Sequence, residues 1–152
     1  MFASVECTEA AEAALFEAAR AAAPCEFAAV LGGCVRGENA LVRRIVQLPN
    51  TSTAAEDSFA VDGVAFAQCE HELRQHGETF LGFVHSHPKG GTAPSVRDRQ
   101  QLWTGCLQMI TDGHSWQAFA LDEQRAVRAL ASRETAAEPT SKTTSKIAEL
   151  RA

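Results

Sequence analysis

His85-Ser86-His87-Pro88 and, a short way on, Pro94-Ser95-Val96-Arg97-Asp98 are the residues of this sequence whose types and spacing could do chemistry. Two histidines at i and i+2 at the end of a strand project to the same side of it, so one metal ion lies within reach of both imidazoles. Asp98, eleven residues after His87, returns to the same point if a loop reverses the chain and a helix begins at Ser95. Two imidazoles and one carboxylate leave a coordination position open, which is what a catalytic rather than a structural zinc site needs. Zinc lowers the pKa of a bound water to about 7, making hydroxide available at neutral pH.

Each part also has a plainer reading. His-x-His can be a buried strand pair without a metal, since most histidines are not ligands. Ser95-x-x-Asp98 is close to a capping box, in which both side chains merely satisfy helix N–H groups. Glu26, beside Pro24, can be an ordinary exposed acid. His71 and His76 share a predicted helix but are five apart, a poor chelate spacing, and His114 falls in a turn.

The elements that must position these residues can be read from hydrophobic spacing and punctuation. Thr8 to Ala23 is Ala/Glu-rich, with Leu15, Phe16 and Ala19 able to share a face. Thr8 caps this helix, Glu9 and Glu12 sit where the helix dipole favours acids, and Pro24 ends it. Phe27–Val35 reads as a buried strand and Leu41–Leu48 as its hairpin partner. Phe59–Asp62 is a short extended piece. Val64–His76 has helical spacing, and Gly77 can close it. Thr79–His85 is the next strand, and Pro88–Pro94 a Gly/Pro-rich loop. The spacing predicts a helix from Ser95 to about Cys106 with Leu102 and Trp103 facing inward. Leu107–Thr111 and Trp116–Leu121 are strands joined at Asp112-Gly113. Arg125–Ala131 fits either a last strand or a short helix. From Ser132 the composition turns to Thr, Ser, Lys and Glu, so residues 132–152 read as a flexible polar tail after a domain spanning 1–131. This order predicts an α/β fold in which a mixed β-sheet is sandwiched by helices.

Composition bounds the function. The 152 residues are 45% apolar and 22% charged, enough for one domain with a real core. With 14 Lys+Arg against 19 Asp+Glu the net charge is -5, which argues against a general nucleic-acid binder. No apolar run reaches the roughly 18–20 residues needed to cross a bilayer, and the N-terminus lacks a signal-peptide pattern. Five scattered cysteines without a C-x-x-C read as reduced, mostly buried thiols. The expected location is cytoplasmic.

The string H-S-H-P followed by P-S-x-x-D resembles the JAMM (MPN+) metalloprotease motif: H-x-H, seven residues, S, two residues, D. His85, His87, Ser95 and Asp98 match it position for position, and Glu26, before Ala28-Ala29-Val30-Leu31-Gly32-Gly33, stands where the family places its glutamate. The resemblance runs from about Thr8 to Ala131. It implies an MPN-type, cytidine-deaminase-like arrangement and a zinc-dependent isopeptidase or peptidase acting at the C-terminus of a ubiquitin-like protein, bacterial and archaeal sulfur carriers included. On it, His85, His87 and Asp98 are the zinc ligands. Glu26 is the general base and later the acid, and Ser95 hydrogen-bonds the tetrahedral intermediate. Short segments at 48–77 and after Asp98 resemble the compact prokaryotic type rather than the polyubiquitin-specific relatives.

The substrate is open between a protein–lysine isopeptide and a short extension on a sulfur-carrier C-terminus. A non-catalytic MPN scaffold is the reading from another class, and the complete ligand set with its glutamate weighs against it. An extended tail beside the metal calls for strand addition. Ser58, Phe59, Ala60 and Val61 are the expected substrate-binding edge, with the backbone N–H of Ala60 as a donor to the tail.

Overall fold

The computed structural model describes residues 2–133. In chain order the elements are β1 (Ser4–Cys7), α1 (Glu9–Ala22), β2 (Ala28–Arg36), β3 (Asn39–Leu48), α2 (Gly63–Gln75), β4 (Thr79–Ser86), α3 (Val96–Gln101), β5 (Leu107–Thr111), β6 (Trp116–Leu121) and β7 (Val127–Ser132). The strands lie in the order β1-β3-β2-β4-β5-β6-β7. β1 pairs parallel with β3 and with β7, and β4 parallel with β5, while the remaining pairs are antiparallel. The mixed sheet expected from the sequence is therefore present. Its curling into a closed barrel through β1 was not foreseen.

Thr8 caps α1 as expected, its hydroxyl accepting the Ala11 N–H at 3.2 Å. Ala11, Leu15 and Ala19 recur at i, i+4 and i+8, so they line one face of the helix. That face joins buried residues from all seven strands in the main core, including Val5, Leu31, Val42, Val84 and Met109. The opposite face of the sheet takes α2, whose Cys69 and Leu73 pack on Val30, Leu48 and Phe83. Beside it Leu102, just after α3, packs with Ile110, Phe119 and Leu121. Helices thus cover both faces of the sheet. No helix among the described residues is long and apolar enough to cross a membrane. The five cysteines are free, and burial pushes the Cys7 thiol up to about 12 and that of Cys106 up to about 11. Such thiols stay protonated and inert at neutral pH.

The elements differ from the sequence reading at several points, and the open alternative at 125–131 is decided. β1 was not read as a strand. It has four residues, too few for alternation to stand out, and its pairing is entirely long-range. The helix predicted from Ser95 to Cys106 stops at Gln101, because Leu102 is extended and Gly105 has φ of +76°. Leu102 is buried as expected, but Trp103 is 54% exposed. The 125–131 stretch resolves into strand β7, entered through Arg125 at φ +64°. That guanidinium donates to the carbonyls of Arg99 and Leu102 and so ties down the end of α3. The domain also extends past 131: Ser132 ends β7, and the Arg133 N–H donates to the Val5 carbonyl at 2.8 Å. The rest of the expected tail, 134–152, lies outside the described residues.

Between β2 and β4 the register shifts at Leu31/Gly32, leaving Leu81 as an extra residue on β4. The bulge turns Leu81 and Val84 toward the main core, while Phe83 packs against α2 on the opposite face. At Gly82 the β5 backbone comes so close that a Cβ would meet the Leu107 carbonyl oxygen at 1.8 Å. Gly82→Ala is expected to cost about 2–3 kcal/mol, the usual penalty for forcing atoms into a packed interior. A urea denaturation midpoint equal to wild type would show that β4 and β5 can part without loss.

Candidate metal centre

The last residues of β4 carry His85 toward the outer face of the sheet, and His87 follows one step beyond the strand. The Nε2 atoms of the two imidazoles lie 3.2 Å apart. His85 Nε2 is 3.2 Å from Asp98 Oδ1, and His87 Nε2 is 3.1 Å from Asp98 Oδ2. The two ring nitrogens stand at the spacing, about 3.3 Å, that two ligands of a tetrahedral zinc take, and one ligand atom from each of His85, His87 and Asp98 lies within 4.8 Å of the others, so the three side chains can close on one ion. Two ring nitrogens that would each have to share a proton with one carboxylate are better satisfied by a cation. His85 is fully buried, with the Phe59 ring 4.7 Å from its own. Its Nδ1 has no hydrogen-bond partner among the described residues.

Asp98 reaches this point because α3 starts at Ser95. The Ser95 hydroxyl accepts the Asp98 N–H at 3.0 Å, and Asp98 Oδ2 accepts the Ser95 N–H at 2.9 Å. The capping box anticipated as the plainer reading is real, and it serves the cluster by fixing the Asp98 carboxylate in one orientation. Ser95 itself is exposed, and with its oxygen accepting from Asp98 its own proton remains free to donate outward.

Glu26 precedes β2 and is buried, 8% exposed. Its neighbour Phe27 donates its N–H to the Ser86 hydroxyl at 2.7 Å, and the Ser86 N–H returns to the Phe27 carbonyl at 2.9 Å. Ser86, between the two histidines, thus sets the register of the glutamate against them. On its other side Glu26 is held by the loop before α2: its N–H donates to Ala55, and its carbonyl accepts from Asn50. Sequence reading missed both tethers. Ser86, between two histidines on a strand, carries no local signal of its bond to Phe27. Asn50, in Pro49-Asn50-Thr51-Ser52, shows the local signature of an Asx turn but nothing of its distant partners.

Burial pushes the Glu26 carboxyl up to about 7; charge on His87 opposes this, and the Asp98 and Asp57 carboxylates add to it. Burial also acts on Asp98, but hydrogen bonds from His85 and His87 outweigh it and hold that carboxyl far below the usual range. Burial lowers His85, while the bond to Asp98 raises His87. Two neighbouring carboxyls are therefore driven apart, one fixed as an anion and one able to exchange a proton near neutrality.

A cleft of about 450 Å³ runs from Glu26 and Asp98 along an aromatic wall. The Trp103 ring meets Phe83 edge-on at 4.9 Å and Phe66 at 5.2 Å. A smaller hollow of about 170 Å³ lies over His87 and Ser95, lined also by Glu56, Asp57 and Lys89. Glu26 borders both spaces. Ser58, Phe59, Ala60 and Val61 do line the larger cleft, but they form no strand, and one detail of the expectation fails. The Ala60 N–H already donates to Asn50 Oδ1 at 3.2 Å, and the Ala60 carbonyl accepts from the Thr51 N–H. The backbone left free there, among the described residues, is that of Phe59 and Val61.

The fold and the site together define an α/β domain built around a His-His-Asp centre with a buried glutamate beside it. Residues 8–137 match the family described as prokaryotic homologs of the JAB domain, and the chain belongs to that family. A Thermus thermophilus protein named "Probable TtuB-protein conjugate cleaving protease" is 30% identical over 86 residues. That match takes in 57% of this chain and 58% of the relative, so the chain spans under two thirds of that relative's length. A Desulfitobacterium hafniense protein solved in solution superposes with a TM-score of 0.78 at 22% identity, over 88% of this chain and 95% of its own. A JAB1/MPN domain protein from Archaeoglobus fulgidus gives a TM-score of 0.51 at 21% identity, over 84% and 97%. At these identities the two structures speak for the fold.

The state of Glu26 makes stability depend on pH. Its folded pKa, about 7, lies above the ordinary carboxyl value of 4.5. The folded chain therefore binds more protons than the unfolded one in this window, and stability falls as pH rises through it. In chelator-treated protein, Glu26→Gln is expected to melt progressively higher than wild type as pH rises from about 4.5 to 7. The gap should then stay level. A melting-temperature difference that does not change with pH would mean Glu26 ionises normally.

Proposed function

We propose that this protein is a zinc-dependent peptidase that cuts the bond following the C-terminus of a ubiquitin-like or sulfur-carrier protein. His85, His87 and Asp98 hold the metal. The carrying observation is that His85, His87 and Asp98 each bring a ligand atom within 4.8 Å of the others, beside a buried carboxyl with a raised pKa. A divalent ion held there would supply Lewis acidity for the scissile carbonyl and lower the pKa of a water at neutral pH. Glu26, poised near neutrality, takes the proton of the attacking water and delivers it to the departing amine. Ser95 directs its free O–H at the oxygen that becomes negative in the tetrahedral stage. Phe59 stacks on His85 and keeps water from that ring.

The two spaces that meet at Glu26 differ in chemistry, which supports a reading of direction. The aromatic cleft suits the apolar side chains of an extended tail, whose main chain would lie along the free backbone of Phe59 and Val61. The hollow beyond, lined by Glu56, Asp57 and Lys89 together with Glu26, His87 and Ser95, is polar and leaves room for the lysine-bearing side of an isopeptide, whose amide nitrogen is uncharged. A protein–lysine isopeptide is the substrate we favour over a short linear extension. The Thermus relative's name, which specifies a TtuB–protein conjugate, agrees with this substrate class.

The test is TtuB joined through its C-terminal carboxyl to a lysine side chain of a carrier protein, incubated with the zinc-loaded protein and followed by mass spectrometry. The expected products are the free carrier and TtuB with an intact C-terminal carboxyl. An intact conjugate would refute the reading. His85→Ala, His87→Ala and Asp98→Ala should each lose bound zinc, because three protein ligands leave no redundancy. Stoichiometric zinc in all three by elemental analysis would remove the ligand assignment. Glu26→Gln should keep its zinc and lose about two to four decades of turnover. Near-normal turnover there would transfer the proton chemistry to another group.

A further inference from the structure

Asn50 makes more hydrogen bonds across the loop beside the cleft than any local turn requires. Its Nδ2 donates to the Glu26 carbonyl at 2.9 Å, to Ser58 at 3.0 Å and, more weakly, to Ala55 at 3.4 Å. Its Oδ1 accepts the N–H groups of Ser52 at 3.0 Å and Ala60 at 3.2 Å. The carboxamide is the only group in an asparagine that can hydrogen-bond beyond its own backbone, and here both its ends are in use. The bond to Ser52 is the ordinary Asx turn. The others are different in kind, because they tie the backbone of the glutamate to alternate residues of the segment that walls the cleft.

That alternation has a geometric result. The Ser58 carbonyl and the Ala60 N–H go to Asn50, the Ser58 N–H to Ala54 and the Ala60 carbonyl to Thr51, while the backbone groups of Phe59 and Val61 make no hydrogen bond among the described residues. One side chain therefore holds the wall at both Ser58 and Ala60, on either side of Phe59. Through the Glu26 carbonyl it also fixes where the glutamate sits relative to them. The Glu26 N–H, donated to the Ala55 carbonyl at 2.7 Å, closes the same unit from its other side.

We propose that Asn50 is the positioning residue that joins the cleft wall to Glu26, so that a chain laid along Phe59 and Val61 is presented to the glutamate in a fixed register. This rests on the peptidase reading given above. Asn50 touches neither substrate nor metal, and its effect passes wholly through the residues it holds. A displacement of about 1 Å in such a support can cost about 100-fold in rate.

Two variants separate the ends of the carboxamide. Asn50→Ala removes both. Asn50→Asp keeps the acceptor side toward Ser52 and Ala60 and loses the donor side toward Glu26 and Ser58. Two measurements are made on the full chain: amide hydrogen exchange at Ala60 in chelator-treated protein, and kcat and KM of the zinc-loaded protein on the TtuB–lysine conjugate. Asn50→Ala is expected to retain zinc, to speed exchange at Ala60 by about tenfold, the scale of one lost net hydrogen bond, and to lower kcat while raising KM. Asn50→Asp is expected to keep the Ala60 amide slow and to lower kcat by about 10–100-fold with a much smaller change in KM. A residue serving stability alone would lower the melting temperature of both variants without dividing kcat from KM in this way.

Unchanged exchange at Ala60 in Asn50→Ala, or a wild-type kcat in Asn50→Asp, would overturn the proposal. So would the failure of both variants to fold, which would make Asn50 a determinant of the fold rather than of the register. If the wild-type protein cleaves nothing, it is the peptidase reading that fails. The exchange measurement needs neither metal nor substrate and still decides whether Asn50 holds the wall.

Discussion

β2 and β4 run antiparallel with Ala28 opposite His85, and at the end of that ladder Phe27 and Ser86 exchange two hydrogen bonds. This pairing brings Glu26 beside the two histidines although nearly sixty residues separate them in the chain. A slip of one residue on β4 would turn His85 toward the barrel interior and Val84 outward, because side chains alternate with a period of two. The register is guarded from several directions at once. The Leu81 bulge fixes the count on β4, the close approach at Gly82 fixes its distance from β5, and Ser86 locks the exit. Closure of the barrel by β1 and β7 leaves the sheet no free edge along which to slide.

The same geometry explains how two carboxyls in one site take opposite roles. Asp98 is surrounded by donors: two imidazoles and the Ser95 N–H. These replace the water it loses on burial, so it stays an anion. Glu26 has its backbone held from two sides, but its carboxyl accepts no hydrogen bond from the described residues and keeps the full cost of desolvation. One acid is suited to hold a cation permanently and the other to pick up and release a proton. The division comes from the placement of donors rather than from residue type.

Much of this was legible in the sequence. The first helix with its Thr8 cap, the hairpin, the Asp112-Gly113 turn and the His-x-His…Ser-x-x-Asp spacing each depend on neighbours within a few residues, and each was read to within a residue or two. The resemblance carried Glu26. What escaped shares the opposite property. β1 gains its bonds from Asn39–Val42 and from residues near 131, so four residues in isolation carry too little signal. Trp103 was assigned to the interior by its apolarity. It stands half-exposed because α3 ends early and its ring caps Phe66 and Phe83 at the edge of the cleft. The 58–61 segment lines the cleft, but the Ala60 N–H, expected as a donor to a tail, is taken by Asn50.

The sequence by itself determined which atoms could meet: two imidazoles on one side of a strand, a carboxylate capped at a helix start, an acid at the head of another strand. Those are consequences of fixed backbone periods and of caps that act over three or four residues. Only the tertiary structure decided what those atoms experience. The elevation of Glu26, the suppression of Asp98, the two spaces meeting at the glutamate and the tether from Asn50 to Glu26 all follow from contacts between segments distant in the chain. Such contacts form only once the barrel has closed, because desolvation and long-range hydrogen bonding depend on what packs around a group and not on its neighbours in sequence.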